Sequence, residues 1–164
     1  MDLSRLDRNR TLLGAAASIL LIASILFFPW FTLDESAERE MQDAWLCGEG
    51  KTSCTGFETF PILRWLLLLA ALAPAILGYI LARGHKLSYP PGEMTMIAGA
   101  AAFVLILYNG AIDRPSPDQG LEFGIGLAWG YWLALIASLA IAVVGFLRSQ
   151  ASGGKQQRKA PGTV

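Results

Sequence analysis

The stretch TLLGAAASILLIASILFFPWF, residues 11–31, contains no ionisable side chain. An apolar run of about twenty residues, wound as a helix, matches the roughly 30 Å of a bilayer's hydrocarbon core. Its reading decides the fold, because it predicts a membrane-crossing helix rather than a soluble one. A secretory signal also starts with basic residues, here Arg5, Arg8 and Arg10. The apolar part of a signal covers only about 7–15 residues and ends in small side chains. This run is longer and ends in Phe27, Phe28, Pro29, Trp30 and Phe31, the aromatic pattern found where helices leave the membrane.

Three further runs repeat the signal. Residues 61–82 (PILRWLLLLAALAPAILGYILA) carry a single charge, Arg64, close enough to the end to reach the headgroups. Residues 94–112 (MTMIAGAAAFVLILYNGAI) and 123–147 (FGIGLAWGYWLALIASLAIAVVGFL) carry none. Of the 164 residues 54% are hydrophobic and only 16% charged, with a mean hydropathy of +0.45. That leaves too little polar surface to bury four such helices in a soluble core. The expectation is an all-α, four-helix transmembrane bundle forming one domain over residues 1–148. Thirteen basic residues balance thirteen acidic ones, so the overall basic field that nucleic-acid binding requires is absent.

Basic residues beside the spans set the expected orientation. Arg5, Arg8, Arg10, Arg83, Lys86, Arg148, Lys155, Arg158 and Lys159 fall on one side, and only Arg39, Lys51, Arg64 and Arg114 on the other. The positive-inside rule then places both termini in the cytoplasm. Residues 149–164 (SQASGGKQQRKAPGTV) are polar, basic and Gly-rich and read as a disordered tail, a topogenic flank able to meet anionic headgroups. No fixed-period repeat is present.

Residues 32–60 form the expected outer loop and hold both cysteines, Cys47 and Cys54, within WLCGEGKTSC. On the outer side thiols oxidise. Six intervening residues, two of them Gly, let the sulfurs meet, and closing such a loop is worth roughly 2.5 kcal/mol in the chain-entropy estimate. A local disulfide is the structural reading; a redox-active pair and unpaired or metal-bound thiols are the alternatives. Quinone-linked disulfide-forming enzymes and vitamin K epoxide reductases are also four-helix proteins with loop cysteines, but they need a Cys-x-x-Cys that this chain lacks. Upstream, Leu33, Ala37, Met41, Ala44 and Trp45 have amphipathic-helix spacing, and Thr32 with Glu35 has capping-box spacing. A short interfacial helix is expected there.

Gly126, Gly130, Ala134, Ser138 and Ala142 recur every four residues in the last span, and Ala70, Pro74, Gly78 and Ala82 do so in the second. Lipid tails are as apolar as leucine, so membrane helices associate by close packing, which small-residue ridges permit. These ridges predict packing within the bundle or against another copy or another membrane protein. Pro74 is expected to kink its helix.

Polar chemistry at membrane depth is sparse. Arg64, Tyr108, Asn109, Asp113 and Arg114 lie toward the outer ends of their spans and make a possible polar site near Glu58; hydrogen bonding between helices and headgroups is the simpler account. The only histidine, His85, stands without companions in a loop, which does not make a metal site. No phosphate-cradling glycine loop, nucleophile elbow or paired carboxylate at depth is found. No cofactor, metal or catalytic residue is therefore expected.

The exit FFPWF, the start FPILRWLLLL and the pattern FGIGLAWGYWLALIASLAIAVVGF together resemble small, uncharacterised four-span membrane proteins of high-GC bacteria. The resemblance covers most of the chain and implies a multi-pass protein of the bacterial plasma membrane, with no activity attached. Trp45 with Cys47 and Cys54 also looks like the first extracellular loop of claudins, which have four spans and a disulfide there. The Gly-Leu-Trp signature of that family is absent and this loop is short, so adhesion is not carried over. The leading functional expectation is a non-catalytic scaffold or accessory subunit that contacts membrane or envelope components. The rival is a binding or transport module for a lipid or amphipathic small molecule, using Arg64, Tyr108, Asn109 and Arg114. A thiol-disulfide protein, with Cys47 and Cys54 cycling, comes third.

Overall fold

The computed structural model describes residues 3–33, 51–83, 91–113 and 125–156. Helix α1 (Leu3–Phe27) leads into strand β1 (Pro29–Leu33). Strand β2 (Ser53–Thr55) and the single turn α2 (Gly56–Thr59) precede the long helix α3 (Leu63–Ala82). Helix α4 (Pro91–Leu107) ends in a wide π turn (Tyr108–Ile112), and strand β3 (Ile125–Leu127) enters helix α5 (Trp129–Gln156). α5 packs against α1 and α4, and α3 packs against the same two, so the four long helices close into a bundle.

The three strands pair in the order β2-β1-β3, both pairings antiparallel. The structure is mostly helical, as expected, and the strands add to it at the two ends of spans read as helix. Residues 29–31 belong to β1 rather than to a span of residues 11–31, because Pro29 has no N–H to continue the helical ladder and locks its own φ. Trp30, Phe31 and Thr32 are β-forming types that follow it. Likewise the last helix starts at Trp129, not within residues 123–128, where Gly126 sits in β3 opposite Thr32. At its far end α5 runs on to Gln156, so residues 149–156 are helical rather than a disordered tail.

Thr32 lies in β1 and caps no helix; the amphipathic segment expected after it, like Trp45 and Cys47, lies outside the described residues. The capping box is instead at Thr55 and Glu58. The Thr55 hydroxyl accepts from the Glu58 backbone N–H, and the Glu58 carboxylate accepts from the Thr55 N–H. These two bonds start α2 immediately after β2.

Among the described residues three helices are long and apolar enough to cross a membrane: Asn9–Phe27, Gly92–Ile112 and Trp129–Ala151. α3 contributes a shorter apolar stretch, Leu63–Leu77. The bundle is apolar on both faces. Inside it, Leu21, Ile25, Leu67, Ile106 and Ile141 are buried. Outside, Ile19, Trp65, Leu69, Ile97, Val104, Trp132 and Ile136 are exposed, and a large contiguous apolar exterior belongs against lipid or protein rather than water.

Backbone-to-backbone packing joins α4 to α5. A Cβ on Gly99 would overlap the Ala142 backbone, one on Gly145 the Met96 backbone, and one on Gly92 the Ser149 backbone. Of the ridge read from sequence, Ala134 and Ser138 are fully buried and Ala142 faces Gly99. Those three positions therefore serve packing within the chain. Gly126 and Gly130 act elsewhere, where the sheet meets the bundle.

Candidate functional site

The sheet is fastened to the bundle through Trp30. Its side chain is 1% exposed, and its Nε1 donates to the Ser24 carbonyl at 3.0 Å and to the Ser24 hydroxyl at 3.3 Å. The Ser24 hydroxyl in turn donates to the Gly130 carbonyl at 2.5 Å. One indole thus ties β1 to the last turn of α1 and the first turn of α5. Phe60 and Tyr131 meet the same ring edge-on at 6.3 and 6.0 Å, a favoured aromatic geometry. Two glycines make the approach possible: a Cβ on Gly56 would enter the Trp30 ring, and one on Gly130 would overlap the Pro29 carbonyl.

Cys54 is fully buried in β2, paired in register with Phe31. No free cysteine occurs among the described residues. The predicted partner Cys47 lies outside them, so the pairing itself is not described.

Four of the five residues of the predicted polar site are described: Arg64 on α3, and Tyr108, Asn109 and Asp113 around the π turn. Arg64, in the first turn of α3, lies over the Phe57 ring at 4.6 Å and 5.5 Å from that of Trp65. Its Nη1 donates to the Phe57 carbonyl, while its Nε is buried with no hydrogen-bond partner. Glu58, the nearest acid in sequence, pairs with Lys51 at 2.5 Å instead. Arg64 therefore works as a clamp on α2, through cation–π contact and one charge-assisted hydrogen bond.

Asn109 lies in the π turn, and its Nδ2 donates to the Leu105 carbonyl at 2.9 Å. Tyr108 and Asp113 are exposed, and the Asp113 backbone N–H closes the turn on the Tyr108 carbonyl. Arg114 lies outside the described residues. Among the described residues no hydrogen bond or ion pair joins Arg64 to Tyr108, Asn109 or Asp113.

Asn109 instead faces an open groove that it shares with Phe60, Pro61, Ile62, Leu63 and Leu66. Sequence reading placed Asn109 near α3 but missed the groove, because a π turn leaves no mark in apolar periodicity. In the structure Gly110 lets the turn approach α5: a Cβ there would enter the Tyr131 ring.

Of the small residues in α3, Pro74 is buried and Ala70 partly so, and Gly78 lies within the helix. Burial raises the carboxyl pKa of Glu58, but the Lys51 and Thr55 hydrogen bonds outweigh it and hold the group below the usual glutamate value. No cluster of three metal-ligating side chains occurs among the described residues. No protein family, characterised protein or solved structure matches the chain, so its function is argued from these residues alone.

Proposed function

We propose that the protein is a non-catalytic, four-span membrane protein whose sheet presents an interaction surface outside the bilayer to another membrane or envelope component. The carrying observation is the Trp30–Ser24–Gly130 network, which holds the strands rigidly on the helix ends. A loop that only linked two spans would need no such anchor. Exposed Trp65, Trp129 and Trp132 stand at that same end of the bundle, as residues at a membrane–water interface do.

α3 is the fourth span in this reading. Its 20 residues extend about 30 Å at 1.5 Å per residue, enough for the hydrocarbon core. Both termini face the cytoplasm of a bacterial cell, as the distribution of Lys and Arg supports. Cys47 and Cys54 form a structural disulfide on the outer side, a role that suits the burial of Cys54 and the absence of a free thiol among the described residues.

The test is the native mass of the complex purified in mild detergent, with co-purifying proteins identified. A stoichiometric protein partner, lost when residues 34–50 are replaced by a Gly-Ser linker, is the expected result. A bare monomer carrying no partner overturns the interaction reading.

A further inference from the structure

The groove between the start of α3 and the π turn combines three features that regular helix packing does not require. It is apolar, lined by Phe60, Pro61, Ile62, Leu63 and Leu66, and Asn109 is the one polar side chain among its described lining residues. Its cavity volume is ≈ 290 Å³, whereas a single water needs roughly 10–15 Å³. Its wall contains a π turn, a rare departure from the α-helix that frequently accompanies functional sites. Here the turn is held in place by Gly110, seated on the Tyr131 ring.

Depth in the membrane selects the occupant. Trp65 on α3, Tyr108 at the start of the π turn, and Trp129 and Trp132 at the start of α5 are all exposed at this end of the bundle. Aromatic residues of this kind sit at headgroup level, so the groove opens where acyl chains meet the glycerol backbone. Leu69 of α3 and Val104 and Leu107 of α4, further along the same two helices, are also exposed. One N–H of the Asn109 carboxamide is spent on Leu105. The second N–H and the oxygen have no partner among the described residues.

We propose that this groove is a binding site for a glycerophospholipid. One acyl chain lies over Leu63 and Leu66, and the free N–H of Asn109 donates to an ester carbonyl. Arg64 plays no part, since it is turned to Phe57 and Trp65. The inference rests on the membrane reading above but not on a protein partner.

The test uses the full chain in detergent micelles doped with palmitoyl-oleoyl phosphatidylethanolamine or with its diether analogue, which has no ester carbonyls. Lipid retention is read by native mass spectrometry. The diester is expected to be retained about threefold to tenfold better than the diether, the range one hydrogen bond supplies. Asn109→Leu should abolish that preference, and Leu66→Trp, which fills the groove, should lower retention of both lipids. Equal retention of the two lipids by the unaltered chain overturns the proposal, as does a preference that survives in Asn109→Leu. If Asn109→Leu fails to fold, the diester-to-diether ratio of the unaltered chain decides alone. Resistance of the chain to carbonate extraction from membranes is scored separately. A chain that resists extraction but shows no ester preference refutes the site and leaves the membrane reading standing, whereas a chain released by carbonate refutes both.

Discussion

Trp30 joins several parts of the tertiary structure, because its ring packs on Phe60 and Tyr131 while its N–H reaches back into α1. Trp30→Phe keeps most of the apolar volume and removes the donor, which is expected to cost about 0.5–1.5 kcal/mol. Trp30→Ala should cost about 3–5 kcal/mol, and both are measurable as lowered unfolding midpoints in detergent. Gly130 and Gly126 separate two kinds of small residue. At Gly130 a methyl group meets the fixed backbone of Pro29, whereas at Gly126 it meets the Thr32 hydroxyl at 2.9 Å on an exposed strand. Gly130→Ala should therefore destabilise by about 1–3 kcal/mol, and Gly126→Ala by clearly less. The sequence put both glycines on one helical ridge; their different neighbours follow only from the strand that interrupts it.

At the scale of elements, α2 shows how the cap is held together by local chemistry. Thr55→Val removes both the capping hydroxyl and its bond to Glu58, and should cost about 0.5–2 kcal/mol. The pH dependence has a definite sign. Because the folded-state pKa of Glu58 lies below its unfolded value, its contribution is complete above the ordinary glutamate pKa and is lost as the pH falls through the folded value. Acid should therefore loosen the cap before the bundle, and Lys51→Met should flatten that dependence; hydrogen exchange at residues 53–59 against pH reads both. The carboxylate is one-third exposed, so solvent screening keeps the effect small. Between α4 and α5 the decisive residues are Gly92, Gly99 and Gly145. Gly99→Leu is expected to separate the two helices and lower the unfolding midpoint without changing the oligomeric state, since its neighbour is Ala142 of the same chain. Band position in native electrophoresis, set beside the thermal midpoint, distinguishes the two effects.

For the whole molecule, the proposed topology makes an even number of crossings with the sheet on one side and both termini on the other. Alkaline phosphatase fused after residue 50 should be active, and the same enzyme fused after residue 156 should be inactive. Activity at both positions would mean an odd number of crossings and would remove α3 as a span. The prediction matters most for α3, whose charged Arg64 stands at the sheet end and whose described apolar stretch is the shortest of the four.

Read alone, the residues determined the helices, because uninterrupted apolar runs near 20 residues have one stable solution in lipid. Of the small-residue ridge in the last span, Ala134 and Ser138 are buried and Ala142 lies against Gly99, whereas the close-packed Gly92, Gly99 and Gly145 stand outside any ridge read from the sequence. Tertiary structure decided the ends. Phe28 to Phe31 and residues 123–128 are as apolar as the spans they adjoin, so composition assigns them to helix. Only when β1 lies between β2 and β3 do the backbone groups of residues 29–31 and 125–127 find partners outside the helices, with Trp30 buried beneath them. The polar site changed for the same reason. Chain order brought Arg64 and Asn109 to one end of the bundle, but side-chain direction is set by packing. The aromatic rings took up the guanidinium, and the π turn carried the carboxamide to the groove.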